Sequence, residues 1–217
     1  DIDYTYVSLC AAVLLVVMGV LPEKILFDSL GDDTVWLLLG SFVVAAGITA
    51  SGLATRAAAF IVSGAKTPRQ LMHLSGAALV ATAFAVPSTS GRAALAMPVF
   101  LALASVLRDR GKLVLALALL FPSVILLSAV GSYLGAGAHL ITSQILAASG
   151  FPAFSFTNWM FYGMPLAVVA SVICVELILM LFTTTDDRKQ ALTISVSDLQ
   201  NHTTIPIRGR FTPDQVK

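Results

Sequence analysis

The sequence predicts an all-α integral membrane fold built around a re-entrant helical hairpin and a broken helix. Three observations carry that prediction. Of the 217 residues 57% are apolar and only 12% charged, mean hydropathy is +0.89, and the stretch from Leu113 to Val175 has no formal charge. A water-soluble surface requires more charge than this, so the uncharged stretch belongs in lipid or deep inside membrane protein. With 13 basic and 12 acidic side chains the net charge is +1, which excludes a general nucleic-acid footprint. Cys10 and Cys174 lie inside apolar runs and read as small hydrophobes rather than as a disulfide or a metal pair. The chain opens at Asp1 without a methionine or a basic leader and reads as an excised piece.

Each crossing of the hydrocarbon core requires about 20 helical residues. Tyr6 to Leu21 crosses with help from its flanks. Val35 to Leu53 is a full span, interrupted at Ala54-Thr55-Arg56 and continued to Ser63. Leu71 to Val86 and Ala93 to Leu107 are short: at about 1.5 Å per residue each reaches about 24 Å or less, against a core about 30 Å thick. Between them stands the polar segment Pro87-Ser88-Thr89-Ser90-Gly91-Arg92. Leu113 to Gly135 runs into a glycine-rich break within a segment that extends to residue 149, and Trp159 to Phe182 is the last span. Residues 1–182 thus form the membrane unit and 183–217 a cytoplasmic linker.

Lysine and arginine set the orientation, because cytoplasmic loops hold their excess. Lys66 and Arg69 precede the two short segments, Arg108, Arg110 and Lys112 follow them, and the tail carries Arg188, Lys189, Arg208, Arg210 and Lys217. The loop from Pro22 to Asp33 is acidic and the loop from Gly150 to Asn158 uncharged, which fits the opposite side. These signs are met by a hairpin over 71–107 that enters from the cytoplasm, turns at Pro87 to Arg92 near mid-depth, and returns. Free N–H and C=O groups at such a turn each cost several kcal/mol against lipid, so the turn must line a cavity or be covered by protein. An ordinary crossing hairpin, with Arg92 as the lone charge in an outer loop, is the alternative. In Gly131-Ser132-Tyr133-Leu134-Gly135-Ala136-Gly137-Ala138-His139 the three glycines either unwind the helix or serve close packing.

Two groups of residues could carry chemistry. At the tip, Ser88, Thr89 and Ser90 present hydroxyls beside the free amides of the helix that follows, which is an anion site in geometry; Ser88 as a simple helix cap is compatible with it. Carbonyls at the end of the preceding half-helix and in the segment from Gly131 to Ala136 could coordinate a small cation with those hydroxyls. Arg92 is expensive near mid-depth and is expected to face the cavity. Glu176, the one acid well inside a span, either reaches the interface or pairs with an arginine. His139 could donate to a substrate, bind a proton, or stand as a satisfied neutral imidazole, and His73 reads as interfacial. An enzyme is disfavoured: no nucleophile elbow, H-E-x-x-H, Walker A or dinucleotide fingerprint occurs, and no two acids lie in spans.

At these residues the chain resembles the divalent anion:sodium symporter family and, more widely, the ion transporter superfamily that includes arsenite permeases and sodium/proton antiporters. The tip Ser88-Thr89-Ser90 with small residues and Pro98 downstream is similar to the family's Ser-Asn-Thr motif. Gly52-Leu53-Ala54-Thr55-Arg56-Ala57-Ala58 resembles its Gly-Leu-x-x-Arg-x-Ala, Gly135 to His139 takes the place of its Gly-Thr-Pro-Pro-Asn, and Trp159 to Pro165 is similar to the element that opens the next helix. The resemblance implies one half of an inverted-repeat fold that carries small anions, dicarboxylate or sulfate, by an elevator motion coupled to sodium or protons. It implies a homodimer in the cell membrane, multi-pass and in a bacterial inner membrane, with a C-terminal half that the tail from Arg208 to Lys217 would precede. By carry-over Ser88, Ser90, Gly131, Ser132 and Gly135 would hold sodium, while Ser88, Thr89, Ser90, Arg92, Gly137 and His139 would face the substrate; no further cofactor is implied. Thr89 and His139 stand where the family has asparagine, and Arg92 where it has a small residue. From that departure comes the hypothesis that the Arg92 guanidinium takes over the charge of a bound sodium, or that coupling passes to protons through His139. A non-transporting scaffold of the same fold, arsenite export and sodium/proton antiport are the alternatives.

Overall fold

The computed structural model describes residues 4–31, 33–52, 56, 60, 64–189, 191 and 192. Among them the regular structure is helical, without strands: α1 (Tyr4–Val17), α2 (Glu23–Leu30), α3 (Asp33–Ser51), α4 (Pro68–Ala85), α5 (Thr89–Val106), α6 (Gly111–Ala129), α7 (Gly137–Ala148), α8 (Phe156–Phe182) and α9 (Thr185–Lys189). Two units divide the chain, 1–40 and 41–217. In the first, α1 ends in a turn in which Gly19 takes φ 72°, a left-handed value open to glycine at little cost, and Leu21 N–H returns to the Leu15 carbonyl. Most of the Gly-Leu-x-x-Arg-x-Ala motif (53–55 and 57–58) and the tail from 193 lie outside the described residues.

In the second unit α6 is central and packs against α4, α5 and α8. Its inward face is Leu113, Ala116, Leu117, Leu120, Phe121, Val124 and Ile125, the three- and four-residue spacing that lines one side of a helix. These side chains meet Leu71, Met72 and Leu79 of α4, Val99 and Leu103 of α5, and Val175 and Leu179 of α8 in one apolar core. The outward faces are apolar as well: Leu115, Leu126, Phe161, Leu166, Val169 and Leu181 are exposed, a surface suited to lipid. By length and composition α5, α6 and α8 can each cross a membrane. Three helices start on the same device, a hydroxyl accepting from the amide three residues on: Thr67 from Gln70, Ser88 from Gly91 and Ser155 from Asn158.

The hairpin differs from its expected form. Its arms are 18 residues each, about 27 Å at 1.5 Å per residue, because Pro68 at the helix start and Thr89 to Arg92 extend the apolar runs. The turn is correspondingly Val86-Pro87-Ser88 rather than six residues. Polar residues at 89–92 suggested loop, but once Ser88 caps the helix their amides enter the helical ladder, with Arg92 N–H bonded to the Ser88 carbonyl at 2.9 Å.

The opposite ends of the arms are tied by the segment after α8. Leu192 is buried in the core, its N–H donates to the Lys66 carbonyl at 2.8 Å, and Arg110 Nη2 donates to the Ala191 carbonyl at 2.9 Å. The start of α4, the α5–α6 loop and the end of α8 therefore share one end of the bundle. Within this strap Thr184 and Asp187 form a reciprocal cap, and Lys112 Nζ lies 3.5 Å from Asp187. Hydrogen bonding from the Thr184 hydroxyl, then from its amide, holds the Asp187 carboxyl below the ordinary aspartate range, with Lys112 adding to the effect. A carboxyl lowered on folding contributes when ionised and stops contributing as pH falls through its lowered folded value. Amide protection over 184–189, corrected for intrinsic exchange, should be full at neutral pH and fade only as pH drops below the ordinary aspartate range. Asp187→Asn should remove that pH step.

Candidate functional site

The hairpin tip is built by the α4 end, the α5 start and what lies against them. Val86 and Pro87 are buried, Ser88 and Thr89 half-buried, and Ser90 exposed. Ser88 is extended (φ −149°, ψ 127°) and its Oγ accepts from Gly91 N–H at 3.2 Å. That bond leaves the hydroxyl proton free to donate outward, so capping and anion binding use different parts of one group. A Cβ at Gly91 would stand 3.1 Å from the Val86 side chain, which explains the glycine in this first turn.

Arg92 is fully buried. Its Nε donates to Thr82 Oγ1 at 3.0 Å, Nη1 to the Ile125 carbonyl at 2.9 Å, and Nη2 to the Leu79 carbonyl at 2.8 Å and Ser128 Oγ at 2.6 Å. Four of the five guanidinium N–H groups are thereby satisfied by neutral oxygens of α4 and α6. The side chain is enclosed by protein, where an open cavity was expected. Helical carbonyls can accept a second bond through their remaining lone pair, and the hydroxyls of Thr82 and Ser128 each donate back to their own helix. Thr82 and Ser128 were not singled out from sequence; each is a hydroxyl inside an apolar helix, which is the signal that marks them.

The second group lies where α6 gives way to α7. The chain passes through 130–136 on short three-residue turns in place of the α-helical ladder, and α7 begins at Gly137, as expected of a broken helix. Close approach explains two glycines here. A Cβ on Gly135 would fall 2.0 Å from the Ala129 carbonyl oxygen, and one on Gly163 of α8 would fall 2.2 Å from the Val130 carbonyl oxygen. That Val130 carbonyl, freed by the break, accepts from Trp159 Nε1 at 2.9 Å. Trp159 also stacks on His139, ring centroids 4.8 Å apart, with Tyr133 and Phe154 against its other sides. His139 Nδ1 lies 3.1 Å from the Ser132 carbonyl. A carbonyl only accepts, so Nδ1 carries the proton and Nε2 is the acceptor in the neutral ring.

The structure gathers the predicted residues into two sets. Ser88, Thr89, Ser90 and Arg92 occupy the first turn of α5 and its cap, while Gly131, Ser132 and Gly135 lie in the break and Gly137 and His139 in the first turn of α7 that follows it. Among the described residues no hydrogen bond joins the two sets directly. Ser128 links them: its hydroxyl accepts from Arg92 and its carbonyl from Gly131 N–H at 3.1 Å. Of the donors expected for sodium, the Ser88 oxygen is engaged as a cap and the Ser132 carbonyl accepts from both Gly135 N–H and His139. Glu176 lies apart from both sets, its Oε1 2.7 Å from Arg69 Nη2 and 2.7 Å from His73 Nε2. At this partly exposed place the pair contributes at most about 1 kcal/mol. Beside Arg92, and away from Glu176, a cavity of about 220 Å³ between α5 and α6 is lined by Ala93, Met97, Phe121 and Pro122.

The packing at the break generates a paired prediction. Gly135→Ala should destabilise the purified protein on the order of 2 kcal/mol or more, because its Cβ meets backbone rather than a mobile side chain. Gly137→Ala, with nothing within 4 Å of the added atom, should stay within about 0.5 kcal/mol. Thermal melting in detergent measures both.

No curated protein matches the chain. The family model CitMHS, citrate transporter, matches residues 1–206. That match covers most of the 217 residues, and the chain belongs to the CitMHS citrate transporter family, within the ion transporter superfamily of divalent anion symporters.

Proposed function

We propose that this chain forms one half of a secondary active transporter that carries citrate or a similar small oxyanion across a cell membrane. One observation carries the proposal beyond family membership: the tip sets a helix amino end and the Ser88 hydroxyl proton in one helical turn, and the Arg92 backbone of that same turn carries an enclosed guanidinium. A helix start offers unpaired amides and the positive end of the helix dipole, which together suit an anion. Burial of Val86, Pro87 and Arg92 supports a tip that lies inside protein rather than projecting from it, and so supports the re-entrant reading of α4 and α5.

Under this reading Ser88, Thr89 and Ser90 with the α5 amides face the anion, and Gly137 and His139 at the start of α7, just after the break, contribute from the other side. His139 Nε2 is the position for a coupled proton, and the carbonyls of 131–135 with Ser88 and Ser90 are the position for a coupled sodium ion. The basic end that carries Lys66, Arg110 and Lys112 faces the cytoplasm. The opposing face of the site comes from an inverted second repeat, the two repeats moving as an elevator in a homodimer of a bacterial inner membrane.

Full-length protein reconstituted into liposomes should take up labelled citrate saturably and accelerate exchange against internal citrate. Imposed sodium and proton gradients, applied separately, should identify the coupling ion. Ser88→Val, which removes both cap and donor, should weaken citrate binding at least about tenfold, as expected for loss of a hydrogen bond to a charged group. Wild-type liposomes with no saturable citrate uptake or exchange under any gradient would refute the transporter reading in favour of a non-transporting member of the fold.

A further inference from the structure

We infer that the Arg92 guanidinium is a built-in counter-charge for the anion at the hairpin tip, held in a cage of neutral oxygens so that its positive charge stays formally uncompensated inside the protein. The inference rests on the transporter reading. Arg69 and Lys112, at partly exposed places, have the acids Glu176 and Asp187 beside them, and neither is enclosed as Arg92 is. Arg92 has the Leu79 and Ile125 carbonyls and the Thr82 and Ser128 hydroxyls, and among the described residues no carboxylate bonds it.

Neutral dipoles satisfy N–H groups and orient the fork, and the carboxyl ends of α4 and α6 offset part of its charge, but no formal negative charge cancels it. Buried arginine is ordinarily paired, because an unpaired charge in a low-dielectric interior is costly. Arg92 also stands in the first turn of α5, the end of a helix dipole that repels cations. A stabilising role alone explains neither feature, since an apolar side chain of similar volume would fill the space without the desolvation cost. Both features point to a use for the charge at the tip: the Arg92 backbone bonds the Ser88 carbonyl, and its Nε bonds Thr82, one helical turn before Val86, where the tip begins. With no exposed surface, the guanidinium touches no substrate; it is a positioning residue that acts through its field.

A field effect scales with the charge of the ligand, whereas a packing effect does not. Inhibition constants of a tricarboxylate, a dicarboxylate and a monocarboxylate against citrate uptake separate the two. In Arg92→Gln affinity should fall about tenfold or more for the trianion and progressively less for the lower charges, with Arg92→Lys restoring most of the loss. Equal losses at every charge, or no loss, would overturn the inference. The cage is tested without any substrate: in Arg92→Ala, guanidinium chloride at low millimolar concentration should raise the melting temperature above that in equal sodium chloride. Absence of that stabilisation would overturn the cage, even if Arg92→Gln proved too unstable to assay. Failure of wild-type citrate transport would instead overturn the transporter reading and leave the guanidinium result standing.

Discussion

A charged fork with five donors inside an apolar bundle is the constraint around which the second unit is arranged. Arg92 is satisfied only where two helices present oxygens on facing sides, and it finds them in two pairs of equal spacing, Leu79 with Thr82 on α4 and Ile125 with Ser128 on α6. Residues three apart share a helix face, so each pair forms one patch, and the guanidinium fixes the two patches against each other. The tip inherits that rigidity, because Arg92 and Ser88 belong to the same turn of α5.

The same rule of internal satisfaction shapes the break. When α6 stops at Ala129 its last carbonyls lose their helical partners, and unpaired carbonyls in an apolar setting are costly. Trp159 supplies one donor from α8, to Val130, the amides of Gly131 and Ser132 supply others to Ser128 and Ala129 by short turns, and Gly135 N–H closes the next turn on Ser132. Those bonds bring backbones too close for side chains, and the glycines at 135 and 163 follow from that closeness. A polar hairpin and a broken helix are therefore two solutions to one problem, joined through Ser128.

Much of this arrangement could be read from the residues alone. Hydropathy placed the long helices, the glycine-rich run placed the break, and Pro87 with its hydroxyl neighbours placed the turn. Their order and spacing pointed to the superfamily, and the CitMHS match agrees. The arms of the hairpin run further than composition indicates, since Thr89, Ser90 and Arg92 are polar yet helical once Ser88 caps them. Helix ends are decided by one cap geometry, which average hydropathy does not register. The partners of Arg92 were out of reach for another reason: two of them are backbone carbonyls, which every residue has, so only the folded geometry selects Leu79 and Ile125. The stack of Trp159 on His139 likewise depends on how α8 returns past the break, a long-range contact without a local signature.

The central claim is that the hairpin tip is an anion site covered by protein rather than an outer loop. With Cys10 and Cys174 replaced by alanine, Ser88→Cys can be probed in oriented vesicles with a membrane-impermeant maleimide, beside Lys66→Cys and Lys112→Cys. The account predicts that positions 66 and 112 react from the cytoplasmic face alone, while the thiol at position 88 reacts slowly and is protected by citrate. Rapid labelling of position 88 from the outer face, unchanged by citrate, would contradict it.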